Sequence, residues 1–245
     1  MTPTSNSKEF INKIIHTQEG NLKGEALDYI EAVSPMPNEA DLVQQIQFQL
    51  NQNTRNFFAE TNSKPEVVYY CCGPAPFLYD LKTQNSELFI ELINNSNITG
   101  IDLNEAFTIF NQANFPEFTW LTTDAITFKQ TNQISILNSS YHHIPDSKKQ
   151  DFLSNISSNL ANDGIVIMGE NFLPRYDENE ISREKSVNQY YDELIGSYRL
   201  ALPHLPAETS TALQKSIILM NQVRQEDIDR HGVSTSQIFR QTIRF

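Results

Sequence analysis

Between Glu66 and Glu170 the sequence keeps changing its period. Short apolar runs rich in β-branched and aromatic residues (EVVYYC, NITGIDLN, FTWLTTDA, ISILNSS, IVIMGE) are interleaved with stretches of helical spacing (PFLYDLKTQNSELFIELINN, EAFTIFNQAN, DSKKQDFLSNISSNLAN). This pattern constrains the fold more than any other feature. Strands joined through helices return in the same direction, so the chain is expected to be α/β with a doubly wound, mostly parallel sheet. The right-handed crossover rule then fixes most of its topology.

The flanks read differently. In SKEFINKIIHTQ, Phe10, Ile11, Ile14 and Ile15 share one helical face, with Ser7 as N-cap. KGEALDYIEAV is a second short amphipathic piece. In NEADLVQQIQFQLNQNTRNFFAE, Leu42, Val43, Ile46, Leu50 and Phe57 recur at helical spacing behind an Asn38 cap, and Phe48 falls off the stripe and needs another contact. Residues 172–232 are helical again. There Val187, Tyr190, Tyr191, Leu194, Ile195 and Tyr198 lie on one face, and Leu213, Ile217, Met220 and Val223 on another. The tail SQIFRQTIRF suits a final strand. The expected organisation is a helical cap or lid over 1–64, followed by a sheet domain over 65–245 with a helical insertion at 172–232.

With 39% hydrophobic residues, the 245-residue chain can bury a real core. A net charge of -12 and no Lys/Arg cluster argue against nucleic acid, whose binders draw affinity from phosphate neutralisation. No apolar run approaches the roughly 18 residues of a spanning helix, so no membrane partner is expected. The opening MTPTSNSKEFINK lacks the apolar core of a secretory signal. The two cysteines, Cys71 and Cys72, are neighbours, which suits neither a disulfide framework nor a metal site. A cytoplasmic monomer or homodimer acting on a small molecule fits best, with no metal.

In a parallel sheet, ligands bind beyond the carboxyl ends of the strands at the switch point. The first strand runs into CCGPAP. There Gly73 allows close backbone approach, and Pro74 is tolerated at a helix start. The second strand ends at Asp102, where a carboxylate can accept from ribose hydroxyls. The third runs into Asp124-Ala125, and the fourth into NSSYHHIPD. Each feature alone is commonplace; their order is not.

That order resembles the class I S-adenosylmethionine-dependent methyltransferases, whose first loop commonly reads D-x-G-x-G-P-G. YYCCGPAP resembles that loop, ITGIDLN the ribose-binding strand end, and TTDA the adenine-binding turn. ILNSSYHHIPD is similar to the fourth-strand motif, and LANDGIVIMGENFLP to the approach to the fifth strand. The resemblance covers residues 66 to about 175. It implies a Rossmann-like sheet, S-adenosylmethionine as cofactor, and a site lined by Tyr69, Cys71, Gly73, Pro74, Ala75, Asp102, Leu103, Asp124, Ala125, Asn138 and Ser139. The chain departs from the pattern in three places. Tyr69 stands where the family has an acidic residue that meets the methionine amino group, so another side chain or a water takes that contact. Cys71 and Ala75 stand where the family has glycine. Family members also usually end in two antiparallel strands, and the residues up to Phe245 leave room for little more than one.

Methyl transfer from a sulfonium needs alignment, exclusion of water and, for oxygen or nitrogen acceptors, removal of a proton. His142, His143 and Glu170 are the candidate bases, with His143 and Glu170 preferred as catalytic residues. Adjacent residues of an extended segment point opposite ways, so at most one of the two histidines is expected to face the site. The plainer alternatives are a structural role for His143 below the cofactor, and for Glu170 a strand-end carboxylate bonding neighbouring helices. Tyr141, Tyr190 and Tyr191 line a cavity or fill a core; Arg175 and Arg183 hold a substrate carboxylate or pair with local acids. No basic residue lies near Cys71 or Cys72 in sequence, so neither is expected to be an activated thiolate. The expected activity is methyl transfer to oxygen or nitrogen of a small molecule. The alternative is a methyltransferase-like protein that binds the cofactor without catalysis. A nicotinamide-dependent oxidoreductase is disfavoured, because the first turn lacks G-x-G-x-x-G.

Overall fold

The computed structural model describes residues 15–16, 22–23, 37–170, 180–205 and 207–229. The sheet strands are β1 (Glu66–Tyr70), β2 (Asn97–Asp102), β3 (Thr119–Thr122), β4 (Asn132–Asn138) and β5 (Leu160–Gly169). The helices are α1 (Pro37–Thr61), α2 (Pro76–Gln84), α3 (Ser86–Asn95), α4 (Glu105–Asn114), α5 (Asp146–Asn159), α6 (Glu180–Ala201) and α7 (Ala207–Asp229). The sheet order is β3-β2-β1-β4-β5 and every pairing is parallel. The chain therefore has a doubly wound, Rossmann-like α/β fold, and the switch point falls between β1 and β4.

Register and side-chain alternation assign the two faces. Val67 and Tyr69 of β1 lie beside Ile134 and Ile136 of β4. All four join one core with Val43, Ile46 and Leu50 of α1, Phe77, Leu78 and Leu81 of α2, and Phe89 and Leu92 of α3. On the opposite face, Tyr70 meets Phe152 of α5 edge-on at 6.1 Å, and Asn159 of α5 donates to the Tyr70 hydroxyl at 3.0 Å.

Two glycines permit this packing. A Cβ on Gly100 would fall 2.2 Å from the Trp120 ring, so β2 is bare where that indole crosses it. A Cβ on Gly169 would fall 2.6 Å from Leu42 and 2.8 Å from Ile46, so α1 rests directly on the end of β5.

The helical stretch after β1 is two helices. Asn85 ends α2 and caps α3, its side chain accepting from the Leu88 N–H. Strand β5 begins at Leu160, earlier than the IVIMGE run, with an irregular register between its pairings at Asn132 and Ile134. α1 starts at Pro37, so Asn38 lies in its first turn and not at its cap. Phe48, off the stripe, is 61% exposed.

The two N-terminal amphipathic segments lie largely outside the described residues. Within them Ile15–His16 and Leu22–Lys23 are two-residue strands forming a small sheet, where helix was expected. Arg175 and the 236–245 tail also lie outside.

The chain divides into two compact units, one comprising His16–Leu27 and Asp41–Glu170, the other Met1–Ile15, Asp28–Ala40 and Asn171–Phe245. In the second, Val187, Tyr191 and Ile195 of α6 are buried with Ile217, Met220 and Ile228 of α7 against them. Tyr190 and Tyr191 meet edge-on at 5.1 Å, and Arg224 bridges to Asp192 at 2.8 Å. None of the described helices is long and apolar enough to cross a membrane.

Candidate functional site

The turn from β1 into α2 has an unusual backbone. Cys71, Gly73 and Ala75 have φ values of 48°, 51° and 49°. Left-handed backbone is easy for glycine and costs other L-residues about 1–2 kcal/mol. Two of these three residues carry a Cβ, so partners outside the turn must hold its shape.

Those partners are in place. The Gly73 N–H donates to Asp102 Oδ2 at 2.8 Å, and the Gly73 carbonyl accepts from Asn111 Nδ2 at 2.8 Å. The Cys72 N–H donates to the Ile101 carbonyl at 3.0 Å, and the Ala75 N–H to the Cys72 carbonyl at 2.9 Å. Asn111 is wholly buried on α4 and also approaches Cys72 Sγ at 3.7 Å. Sequence reasoning missed it, although its position one turn after Phe107, on the apolar stripe of α4, marks a polar side chain aimed inward.

Asp102 accepts from Asn104 N–H at 2.8 Å with its other oxygen. Its carboxylate thus organises both the β1–α2 turn and the start of α4. A carboxylate has about four acceptor sites, so each oxygen retains capacity for a further donor. Burial raises its pKa above the ordinary carboxylate value, opposed by hydrogen bonds from the Asn104, Gly73 and Leu103 backbone. Leu103 beside it is 51% exposed.

Cys71 retains some exposed surface. Burial, reinforced by the negative charges of Asp102 and Asp124, drives its thiol pKa far up. Cys72 is driven up in the same way, by burial first. Neither is a thiolate at neutral pH, as expected from the missing basic neighbour.

After β3, Asp124 makes its own turn. Its Oδ1 accepts from Ile126 N–H at 2.9 Å, and its carbonyl accepts from Phe128 N–H at 3.0 Å. The Ala125 carbonyl accepts from Asn155 of α5 at 2.9 Å. Asn155 is a second buried polar residue that sequence reasoning passed over.

The loop after β4 carries another left-handed residue, Ser139 at φ 46°, whose N–H donates to the Gly169 carbonyl at 2.8 Å. A short 3-10 turn, Tyr141–His143, follows. The Tyr141 N–H donates to Glu170 Oε2 at 2.8 Å, so the carboxylate at the end of β5 fixes the turn that carries His143.

The sheet therefore gathers the Cys71–Ala75 turn, Asp102, Leu103, Asp124, Ala125, Asn138, Ser139, His143 and Glu170 at its carboxyl edge. Tyr69, the first-strand residue named with them, packs its ring into the core. It is 1% exposed, with its ring 4.9 Å from Phe77 in the main core. Among the described residues no group of three or more His, Cys, Asp or Glu side chains is arranged to hold a metal.

No family model matches the chain, and no curated protein does. Among solved structures it is similar to a TehB-like SAM-dependent methyltransferase from Corynebacterium glutamicum at 17% identity and TM-score 0.36, covering 47% of this chain and 59% of that one. It is also similar to an amino pentose methyltransferase from Micromonospora echinaspora, at 14% identity and TM-score 0.40, covering 53% and 52%. Magnesium protoporphyrin IX methyltransferase from Synechocystis gives 19% identity and TM-score 0.38, covering 58% and 67%. The chain thus spans just over half the length of the first two. The fold itself is fixed by strand order and direction, independently of these likenesses.

Proposed function

We propose that this chain is a class I S-adenosylmethionine-dependent methyltransferase acting on an oxygen or nitrogen of a small molecule. The observation that carries this reading is the β1–α2 turn. Its backbone is left-handed at Cys71, Gly73 and Ala75, the three positions that are glycine in the loop it resembles. The local chemistry has changed and the shape has been kept, at an energetic cost that a mere connection would not require.

The remaining residues suit the cofactor. Asp102 has acceptor capacity left for ribose hydroxyls. Leu103 offers an exposed apolar surface to a purine face, and Asp124 and the Ala125 N–H suit the purine edge. When bound, the cofactor supplies a methyl group on a sulfonium whose departure leaves a neutral thioether. The protein's task is to align the acceptor and take its proton. In this reading His143 takes the proton, and Glu170 positions it through the Tyr141 N–H.

One observation favours the alternative of a non-catalytic binder: Tyr69 brings no charge to the site and is buried in the core. Two measurements separate the readings. Calorimetry with S-adenosylhomocysteine tests the cofactor, and absence of binding sinks both. Transfer of an isotope-labelled methyl group into a panel of small hydroxylated and amino compounds tests catalysis. Binding without transfer across the panel favours the binder.

A further inference from the structure

The loop after β3 is held from behind by one side chain of α5. Asn155 is 4% exposed, and its Nδ2 donates to the Ala125 carbonyl at 2.9 Å and to the Phe128 carbonyl at 2.8 Å. Its Oδ1 accepts from the Lys129 ammonium. Three partners thus agree on which way the amide points: its nitrogen faces two carbonyls and its oxygen a cation. Asn159, one turn on, also donates to the Phe128 carbonyl, at 2.9 Å, and to the Tyr70 hydroxyl. The bond to Ala125 is the one that Asn159 does not share.

What Asn155 grips bears on Asp124. The Ala125 carbonyl and the Ile126 N–H belong to one planar peptide group. Asn155 holds its oxygen end, and Asp124 Oδ1 accepts from its N–H end at 2.9 Å. The two side chains act on opposite ends of a single rigid plate, so the direction of the carboxylate follows the tilt of that plate. The Thr127 and Phe128 N–H groups close the loop on the Asp124 carbonyl at 3.2 and 3.0 Å. With Oδ1 committed inward, Oδ2 is the oxygen left to meet a ligand, and its aim is set from α5. The Lys129 charge polarises the amide and, through it, the peptide, which strengthens the bond to Asp124 cooperatively.

We propose that Asn155 is a positioning residue for selection of the purine, acting through the Ala125–Ile126 peptide to aim Asp124 Oδ2 at an exocyclic amino group. This rests on the reading above and deepens it. The site takes 6-aminopurine nucleosides and rejects 6-oxopurine ones, because a carbonyl in place of the amino group turns an acceptor toward a carboxylate. A site built to bond a ligand N–H discriminates strongly against an analogue that lacks it. That discrimination requires the acceptor to be held, and Asn155 supplies the hold.

S-adenosylhomocysteine and S-inosylhomocysteine differ at this position of the purine and share the ribose and the amino-acid group. Calorimetry on the intact chain should find the adenosyl compound bound roughly tenfold or more tightly by the wild type, the scale of one hydrogen bond to a charged group. Asn155→Leu, of similar shape but without a donor, should remove most of that preference, chiefly by weakening the adenosyl compound. Asn155→Ala, which leaves room should Leu not fit, must show the same fall. Asn159→Leu is the control: it takes a donor from Phe128 of the same loop and leaves the bond to Ala125 in place. It should lower the melting temperature and keep the wild-type ratio. A merely structural Asn155 would weaken both compounds alike. An unchanged ratio in the Asn155 variants, or a ratio that falls as far in Asn159→Leu, overturns the proposal. If the wild type binds the two compounds equally, this inference fails while the cofactor reading stands. If it binds neither, that reading itself fails.

Discussion

At the scale of single residues, the buried carboxyl of Asp102 sets the character of the site and of the thiol beside it. The Asp102 carboxyl is held above its ordinary value of 3.8 by burial. A carboxyl with a raised folded pKa contributes stability that is fully present below the unfolded value and is lost as pH rises through the folded one. Stability relative to Asp102→Asn should therefore fall as pH climbs from 3.8 through that raised value, then level off. Urea midpoints of the two proteins across this range test the sign, and a difference that grows with pH contradicts it. Asp102 also governs Cys71. With its thiol pushed up by burial and by two carboxylates, Cys71 should react with iodoacetamide at neutral pH at least roughly tenfold more slowly than an unperturbed thiol, since each pKa unit is a factor of ten in thiolate. Asp102→Asn should speed that reaction. Mass spectrometry of the labelled peptide would locate it, and wild-type labelling as fast as in a free peptide would show that the thiol is not so held.

At the scale of elements, the two best-placed glycines serve opposite purposes, and substitution separates them. A Cβ at Gly73 has no atom within 4 Å but meets a φ of 51°. Gly73→Ala should then cost only backbone strain, about 1–2 kcal/mol. Gly100 has no positive φ but has the Trp120 ring at 2.2 Å. That indole is pinned by its Nε1 bond to the Phe115 carbonyl at 2.9 Å and by contact with Phe115 and Phe118. Gly100→Ala should cost overpacking of about 1–3 kcal/mol, together with altered tryptophan fluorescence. Gly73→Ala should leave the emission unchanged, and a shift there would show that the turn and the indole are coupled.

The element scale also marks where the sequence was legible. Changes of period revealed all five sheet strands and most helices, because burial on a face imposes period on composition. The break at Asn85 was hidden because helical spacing continues through it, and only the capping bond to Leu88 shows the stop. The early start of β5 was hidden by LANDG, polar residues that pair irregularly. Asp102 was identified by its place after β2. Its bonds to Gly73 and Asn104 were not, because they depend on tertiary approach. The roles of Asn111 and Asn155 escaped for the same reason.

At the scale of the whole molecule, the left-handed turn depends on distant parts of the chain. Its bond to Asp102 spans 29 residues, and its bond to Asn111 spans 38. Neither pin exists until β2 lies beside β1 and α4 has formed. Before then, Cys71 and Ala75 have every reason to relax to negative φ. The crevice is therefore an outcome of assembly and should be completed late in folding, after the sheet that carries it. Pairing across such separations is slow to nucleate. Pulse-labelled hydrogen exchange during refolding should show the Gly73 amide gaining protection after the amides of the β1–β2 ladder. Simultaneous protection would mean that the turn is intrinsically shaped. Delayed protection would give the chain a folding intermediate with its sheet formed and no competence for ligand.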